Sequence, residues 1–211
     1  MDNLGDITES LRGAMAARTA ARDAALAASR ELIRHCSGCI RAAHRREWDQ
    51  VDAQLGVIAA DAATLRAGLA EYPELYHSGY VQDALKEVVE AHAASAILRG
   101  GSTLPTPDAL HAEPATYMLG LAEAATELRR AILDLMRQSE DHAPEAERLL
   151  AAMDAIYDQL VTFDFPEAVT RDLRRQTDIV RGVLERTRGD LTTTLQQIRL
   201  VNALKRFEER M

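Results

Sequence analysis

Two stretches of this 211-residue chain set paired carboxylates in apolar surroundings. LKEVVEAHAASAIL, residues 85–98, holds Glu87 and Glu90, three apart, and then eight residues without a formal charge. AEAATEL, residues 122–128, holds Glu123 and Glu127, four apart. On a helix, residues at these spacings face the same way. Each pair sets two like charges side by side, and burial disfavours the ionised forms further. Solvent, arginine partners or a bound divalent cation can relieve such a pair. For either pair alone a wet helix face is the ordinary solution. Together they read differently, because AHAASAIL after Glu90 and YMLGLAEAATEL around Glu123 do not read as solvated faces. Two such helices packed together bring four oxygen ligands into one site. Hard oxygen ligands without cysteine select Mg2+ or Mn2+. A ferritin-like di-iron site needs Glu-x-x-His on two helices. His92 stands two residues from Glu90 and five from Glu87, so that motif is absent. The chemistry left is metal-assisted hydrolysis, in which bound metal activates water and screens phosphate charge.

The elements that must position these residues are helical. All six prolines follow residue 72, and residues 6–72 read as two long helices that break near REWDQ. EYP closes this block, and PELYHSGYVQDALKEVVEAHAASAILRGG reads as a third helix, ended by Gly100–Gly101. Pro105 and Pro107 make STLPTPDALHAEP a loop, with a short helical turn at Asp108. Pro114 opens the next helix, where Leu121, Ala125, Leu128, Ile132 and Leu135 form one face. SEDHAP reads as a turn. The following helix carries Leu149, Leu150, Met153, Ile156, Tyr157 and Leu160 and stops at FDFP. From Pro166 a final helix of about forty residues is expected, some 60 Å long by the helical rise. Its apolar side is Val169, Leu173, Val180, Leu184, Leu191, Leu195 and Ile198. Such a helix overhangs a compact bundle unless neighbouring chains cover it.

Composition agrees. The chain is 47% hydrophobic but only 4% aromatic, and Ala and Leu dominate, which favours helix throughout. Its length suits one domain over 1–211. A net charge of −8 argues against a general basic coat for duplex DNA, though not against a local basic groove. Of 25 basic residues only Lys86 and Lys205 are lysine. Arginine's planar fork suits phosphate, while a GC-rich genome explains both this bias and the excess of Ala. Cys36 and Cys39, in CSGC, lack a second half for a zinc site and read as semi-buried thiols near a helix kink at Gly38. No apolar run reaches a membrane span, and MDNLGDITES is acidic and unlike a signal peptide. The expected compartment is the cytoplasm.

These residues also carry a resemblance. YHSGYVQDALKEVVEAHAASAIL resembles the translin-family helix that bears a Glu-x-x-Glu pair. TYMLGLAEAATELRRAILDLM resembles its Y-L-x-G-[VL]-x-[DE]-x-x-x-E-L-x-R helix. AIYDQLVTFDFPEAVTRDLRRQTDIVRGVLERTRGDL resembles its C-terminal segment, so the similarity spans residues 28–190. Within the family the chain is most similar to the catalytic branch, translin-associated factor X. The resemblance implies an all-α, seven-helix bundle with long antiparallel helices and a long C-terminal helix. It implies octameric barrels that enclose RNA or single-stranded DNA, and a metal-dependent endoribonuclease. The acidic set carries over onto Glu87, Glu90, Glu123 and Glu127 as catalytic and metal-binding residues. That branch usually has aspartate at the third position, so Glu123 adds one methylene. The non-catalytic branch lacks the acidic set.

A nuclease with an acidic site needs cations for its substrate. RAAHRR offers Arg41, Arg45 and Arg46 at helical spacing, beside His44 and Trp48. The family's basic segments lie in this N-terminal half and near the start of the third helix, where ELYHSGY supplies Tyr76, His77 and Tyr80. Arginine can hold phosphate, and aromatics can stack on unpaired bases. A solvated charge run for RAAHRR and core or interface packing for the tyrosines are the plain alternatives. Arg171, Arg174 and Arg175 in RDLRR read as helix surface or subunit contact. The expectation is an endoribonuclease for single-stranded RNA inside a homo-octamer, with Mg2+ or Mn2+ as cofactor and no membrane partner. A non-catalytic binder of single-stranded RNA or DNA, or a purely structural bundle, would use the same helices.

Overall fold

The computed structural model describes residues 1–138 and 142–209. The helices are α1 (Leu4–His44), α2 (Trp48–Gly68), α3 (Pro73–Tyr76), α4 (Gly79–Leu98), α5 (Pro107–Leu110), α6 (Pro114–Gln138), α7 (Ala143–Leu160), α8 (Glu167–Thr170) and α9 (Leu173–Glu208). Six are long, three are single turns, and there is no strand among the described residues. The all-α bundle with a long C-terminal helix is therefore present. Of the turn expected at SEDHAP, residues 139–141 lie outside the described residues.

Local chemistry explains most boundaries. Pro73, Pro107, Pro114 and Pro144 sit in first turns, where a missing N–H costs nothing. α1 ends in a Schellman motif. The Glu47 N–H reaches the Ala42 carbonyl at 3.1 Å and the Arg46 N–H reaches the Ala43 carbonyl at 3.0 Å. Arg46 takes the left-handed position at φ 59°, a place usually given to glycine. The expected third helix is split into α3 and α4. Ser78 adopts extended backbone at the N-cap position, which serine favours, and Gly79, the weakest helix former of ELYHSGY, follows it.

The final helix also begins later than expected. Pro166 opens only the one-turn α8, Arg171 reverses the chain at φ 56°, and α9 starts at Leu173. Val169 consequently lies 63% exposed, off the α9 stripe it was assigned to. α1 runs unbroken through Gly38, and Cys36 and Cys39 are fully buried rather than half-buried.

The core is organised around α4 and α6. α4 packs between α1 and α6, and α6 packs in turn on α7 and α9. The two central helices meet at Gly120. A Cβ there would lie 2.6 Å from the Lys86 carbonyl oxygen and 2.6 Å from the Val89 Cβ. Ala84, Ala91, Ala93, Ala94, Ala122, Ala124 and Ala125 are buried in the same two helices. Small residues thus let the backbones close up, and the carboxylates one turn away come within reach of each other.

Both ends of the bundle's long helices stand clear. α1 is exposed up to Ala20, with Leu4, Ile7, Leu11 and Met15 along one stripe. Beyond Leu191, α9 is mostly exposed and carries Leu200, Val201, Leu204 and Phe207. No helix among the described residues is long and apolar enough to cross a membrane.

Gly120→Ala tests the central contact. Helix propensity alone would add up to about 1 kcal/mol, but overpacking against backbone costs roughly 1–3 kcal/mol. Thermal denaturation should show a lower Tm. Gly56→Ala, with open space around it, should raise Tm instead. A Gly120→Ala protein as stable as the Gly56→Ala protein would mean that the helices do not depend on this approach.

Candidate functional site

Glu87 and Glu90 project from α4 and Glu123 from α6 into one half-buried cluster. One oxygen from each lies within 4.8 Å of the others. Glu123 Oε1 accepts a hydrogen bond from Lys86 Nζ at 2.7 Å. Glu127 is held separately, its Oε1 2.5 Å from His44 Nε2 at the end of α1. That histidine side chain is only 4% exposed. The structure therefore gathers three of the four expected glutamates and gives the fourth a histidine partner.

The electrostatics follow from this crowding. Burial, and then the charges of Glu87, Glu123 and Glu127, push the Glu90 carboxyl up to about 9. Burial and Glu123 also raise Glu87, against the pull of Lys86. Asp83, one turn before Glu87, adds to the same negative field. Beneath them, burial and the nearby glutamates push the Cys36 thiol up. Glu87 and Glu90 lie close enough for each to act on the other's titration. His92 takes no part in the cluster, because its Nδ1 meets the Val88 carbonyl at 2.9 Å.

Comparison with known proteins decides the family. No family model matches the chain. The chain is 34% identical over 196 residues to an uncharacterised protein of Methanocaldococcus jannaschii, covering 92% of this chain and 85% of that one. The crystal structure of AfC3PO, a protein like translin-associated factor X, superposes with a TM-score of 0.80 at 31% identity. The match covers 92% of this chain and 98% of that one. A complex of AfC3PO with duplex RNA matches over the same shares, with TM-score 0.80 and 30% identity. The chain belongs to the translin family. Apo-NeC3PO, 19% identical with a TM-score of 0.75 over 92% of this chain and 98% of that one, shares the translin-family fold.

The basic residues of this translin-family chain are spread around the α1–α2 corner. Arg41 is exposed on the last turn of α1. Arg45 and Arg46 fall beyond the helix end, so the helical register expected for all three stops at His44. Arg45 binds Glu47 through two hydrogen bonds of 2.8 and 2.7 Å, and Arg46 lies 3.9 Å from Glu145. With His44 they line a cleft of about 430 Å³. Tyr76 and His77 stand at the α3–α4 break, rings edge to face at 4.8 Å, and His77 is exposed. Tyr80 is different, since its hydroxyl is buried with no hydrogen-bond partner among the described residues.

Three residues at the site escaped sequence reasoning in these roles. His44 was seen only as a companion of arginines, and Asp83 lies at helical spacing from Glu87. Lys86 had a signal, being one of two lysines, but nothing in the sequence tied it to Glu123.

The raised Glu90 has a measurable consequence. In the unfolded chain it titrates near the ordinary value of 4.5, whereas folding moves it to about 9. The native state thus holds its proton more tightly, and stability falls as pH climbs between those values. In chelator-treated protein, Glu90→Gln should raise Tm at pH 8, because the amide carries no charge to bury. The gain should vanish toward pH 4.5. A gain independent of pH would show that Glu90 is not the strained group.

Proposed function

We propose that this translin-family chain is a metal-dependent endoribonuclease that binds RNA and cleaves single strands from within a homo-oligomer. The observation that carries this reading is the convergence of Glu87, Glu90 and Glu123, with oxygens within 4.8 Å, in a half-buried setting. An oxygen-only donor set fits Mg2+ or Mn2+. Protons or cations are what such a cluster needs, since Glu90 is otherwise driven to its neutral form. The bound cation would supply Lewis acidity and an activated water for phosphodiester hydrolysis.

The chain's own groups have distinct tasks. Glu87, Glu90 and Glu123 would hold the cation as ionised carboxylates. Glu127 and His44, 2.5 Å apart, form a pair able to hold or pass a proton at Glu127 Oε1. Arg41, Arg45 and Arg46 offer charge to phosphate, and Tyr76 and His77 offer rings to unpaired bases. A relative of 30% identity solved with duplex RNA supports RNA as the polymer. The exposed apolar stripes of α1 and α9 support self-association, which the family resemblance puts at eight copies.

Labelled single-stranded RNA and a short duplex, incubated with Mg2+, Mn2+ or EDTA, test the activity. Cleavage of the single strand should need the metal. Glu90→Gln and Glu127→Gln should slow it by at least about 100-fold, the scale of losing one key charged group, while RNA binding persists. Glu123→Asp should keep or raise activity. If both Gln variants cut at the parent rate, the glutamates are structural and the chain is a non-catalytic RNA binder.

Light scattering tests the assembly. A discrete oligomer is expected at micromolar concentration, and a stable monomer would remove the enclosed chamber from the mechanism.

A further inference from the structure

We propose that Lys86 is a catalytic residue of this site, pairing with Glu123 in the resting protein and holding a non-bridging oxygen of the scissile phosphate during cleavage. This rests on the metal-dependent RNA cleavage proposed above. Three observations lead to it.

The first is identity. Only Lys86 and Lys205 are lysine among 25 basic residues, and Lys205 is exposed near the end of α9. Lys86 side-chain exposure is 18%, and its Nζ lies 2.7 Å from Glu123 Oε1. An arginine there would present a rigid fork that can grip a carboxylate through two bonds. An ammonium on a flexible stem makes single bonds and can change partner.

The second is elimination. The other strong cations of α4, its cap and α6 are engaged elsewhere among the described residues. Arg99 pairs with Asp52 at 2.6 Å and Arg129 with Asp190 at 2.7 Å. Arg130 and Arg137 face Asp134 at 4.0 and 3.4 Å. Lys86 is left as the cation of these helices that borders the carboxylate cluster.

The third is charge. Three ionised carboxylates outweigh one divalent cation by one charge, and Lys86 supplies that charge. Asp83 and Glu127 add to the same negative field, so Lys86 reduces the repulsion that a phosphodiester anion meets there, and without it that repulsion is greater. In the hydrolysis, the water oxygen bonds to phosphorus as the bond to the leaving ribose oxygen breaks. The water's proton ends on that leaving oxygen. Lys86 keeps its own protons and offsets the charge that builds on the non-bridging oxygen, as preorganised donors do.

The test uses full-length K86M and K86R. Mn2+ binding is measured by calorimetry without RNA, and cleavage of labelled single-stranded RNA is measured at saturating Mn2+. In K86M, Mn2+ should bind roughly fivefold tighter, because a repelling charge and a competitor for Glu123 are gone. The kcat should fall by at least about 100-fold, and K86R should recover part of it. Parent-like cleavage by K86M would make Lys86 a resting counter-ion only, overturning the proposal while the metal-nuclease reading stands. Weaker Mn2+ binding by K86M would overturn it too, by making Lys86 an organiser of the ligands. If the parent neither binds Mn2+ nor cleaves RNA, both ideas fall. Should circular dichroism show K86M misfolded, K86Q carries the same measurements.

Discussion

The approach of α4 to α6 at Gly120 is the constraint on which the rest depends. A missing side chain lets the Lys86 carbonyl and the Val89 side chain fill the space a Cβ would need. Close packing of backbones is what brings ionisable groups of two helices within a few ångströms. Buried alanines extend the contact along both helices. They contribute little side-chain volume, so their value here is the distance they permit. The same residues that make this a dense core therefore make its carboxylates crowd together.

That crowding works against stability. Burying Glu87 and Glu90 beside Glu123 opposes their ionisation, and Lys86 answers only part of the field. Nothing about folding requires three acids at this place, since neutral side chains of similar shape would pack with less strain. Proteins keep such local conflicts at sites of function and compensate elsewhere. Here the compensation is the large apolar cluster contributed by all six long helices. Membership of the translin family is consistent with this division between a stable frame and a strained centre.

Much of the frame was legible in the chain. Prolines mark helix starts because their chemistry is local, and the stripe from Leu121 to Leu135 is buried as periodicity implied. The glutamate pairs were legible for the same reason, since spacing on one helix fixes a shared face. The partners were not. His44 and Glu127 are 83 residues apart, and Lys86 and Glu123 are 37 apart, so only the packing of helices joins them. The break after α1 falls at REWDQ, where it was expected, whereas the one at Arg171 was missed, because arginine carries no turn signal although it holds positive φ there. For Tyr80 the sequence left base stacking and packing both open, because an amphipathic side chain looks alike in sequence whether its hydroxyl is wet or enclosed.

Two buried thiols of α1, one of them beside the carboxylates, give this core an internal clock. Cys36 and Cys39 are both sealed, one helical turn apart on α1, between that helix and its neighbours. Burial keeps both protonated, and a protonated thiol is a poor nucleophile. A thiol-reactive reagent therefore meets them only when α1 lifts away, by a local or a global opening. Because Cys36 feels the charges of Glu87 and Glu90, the rate of its modification reports how often the floor of the acidic cluster breathes.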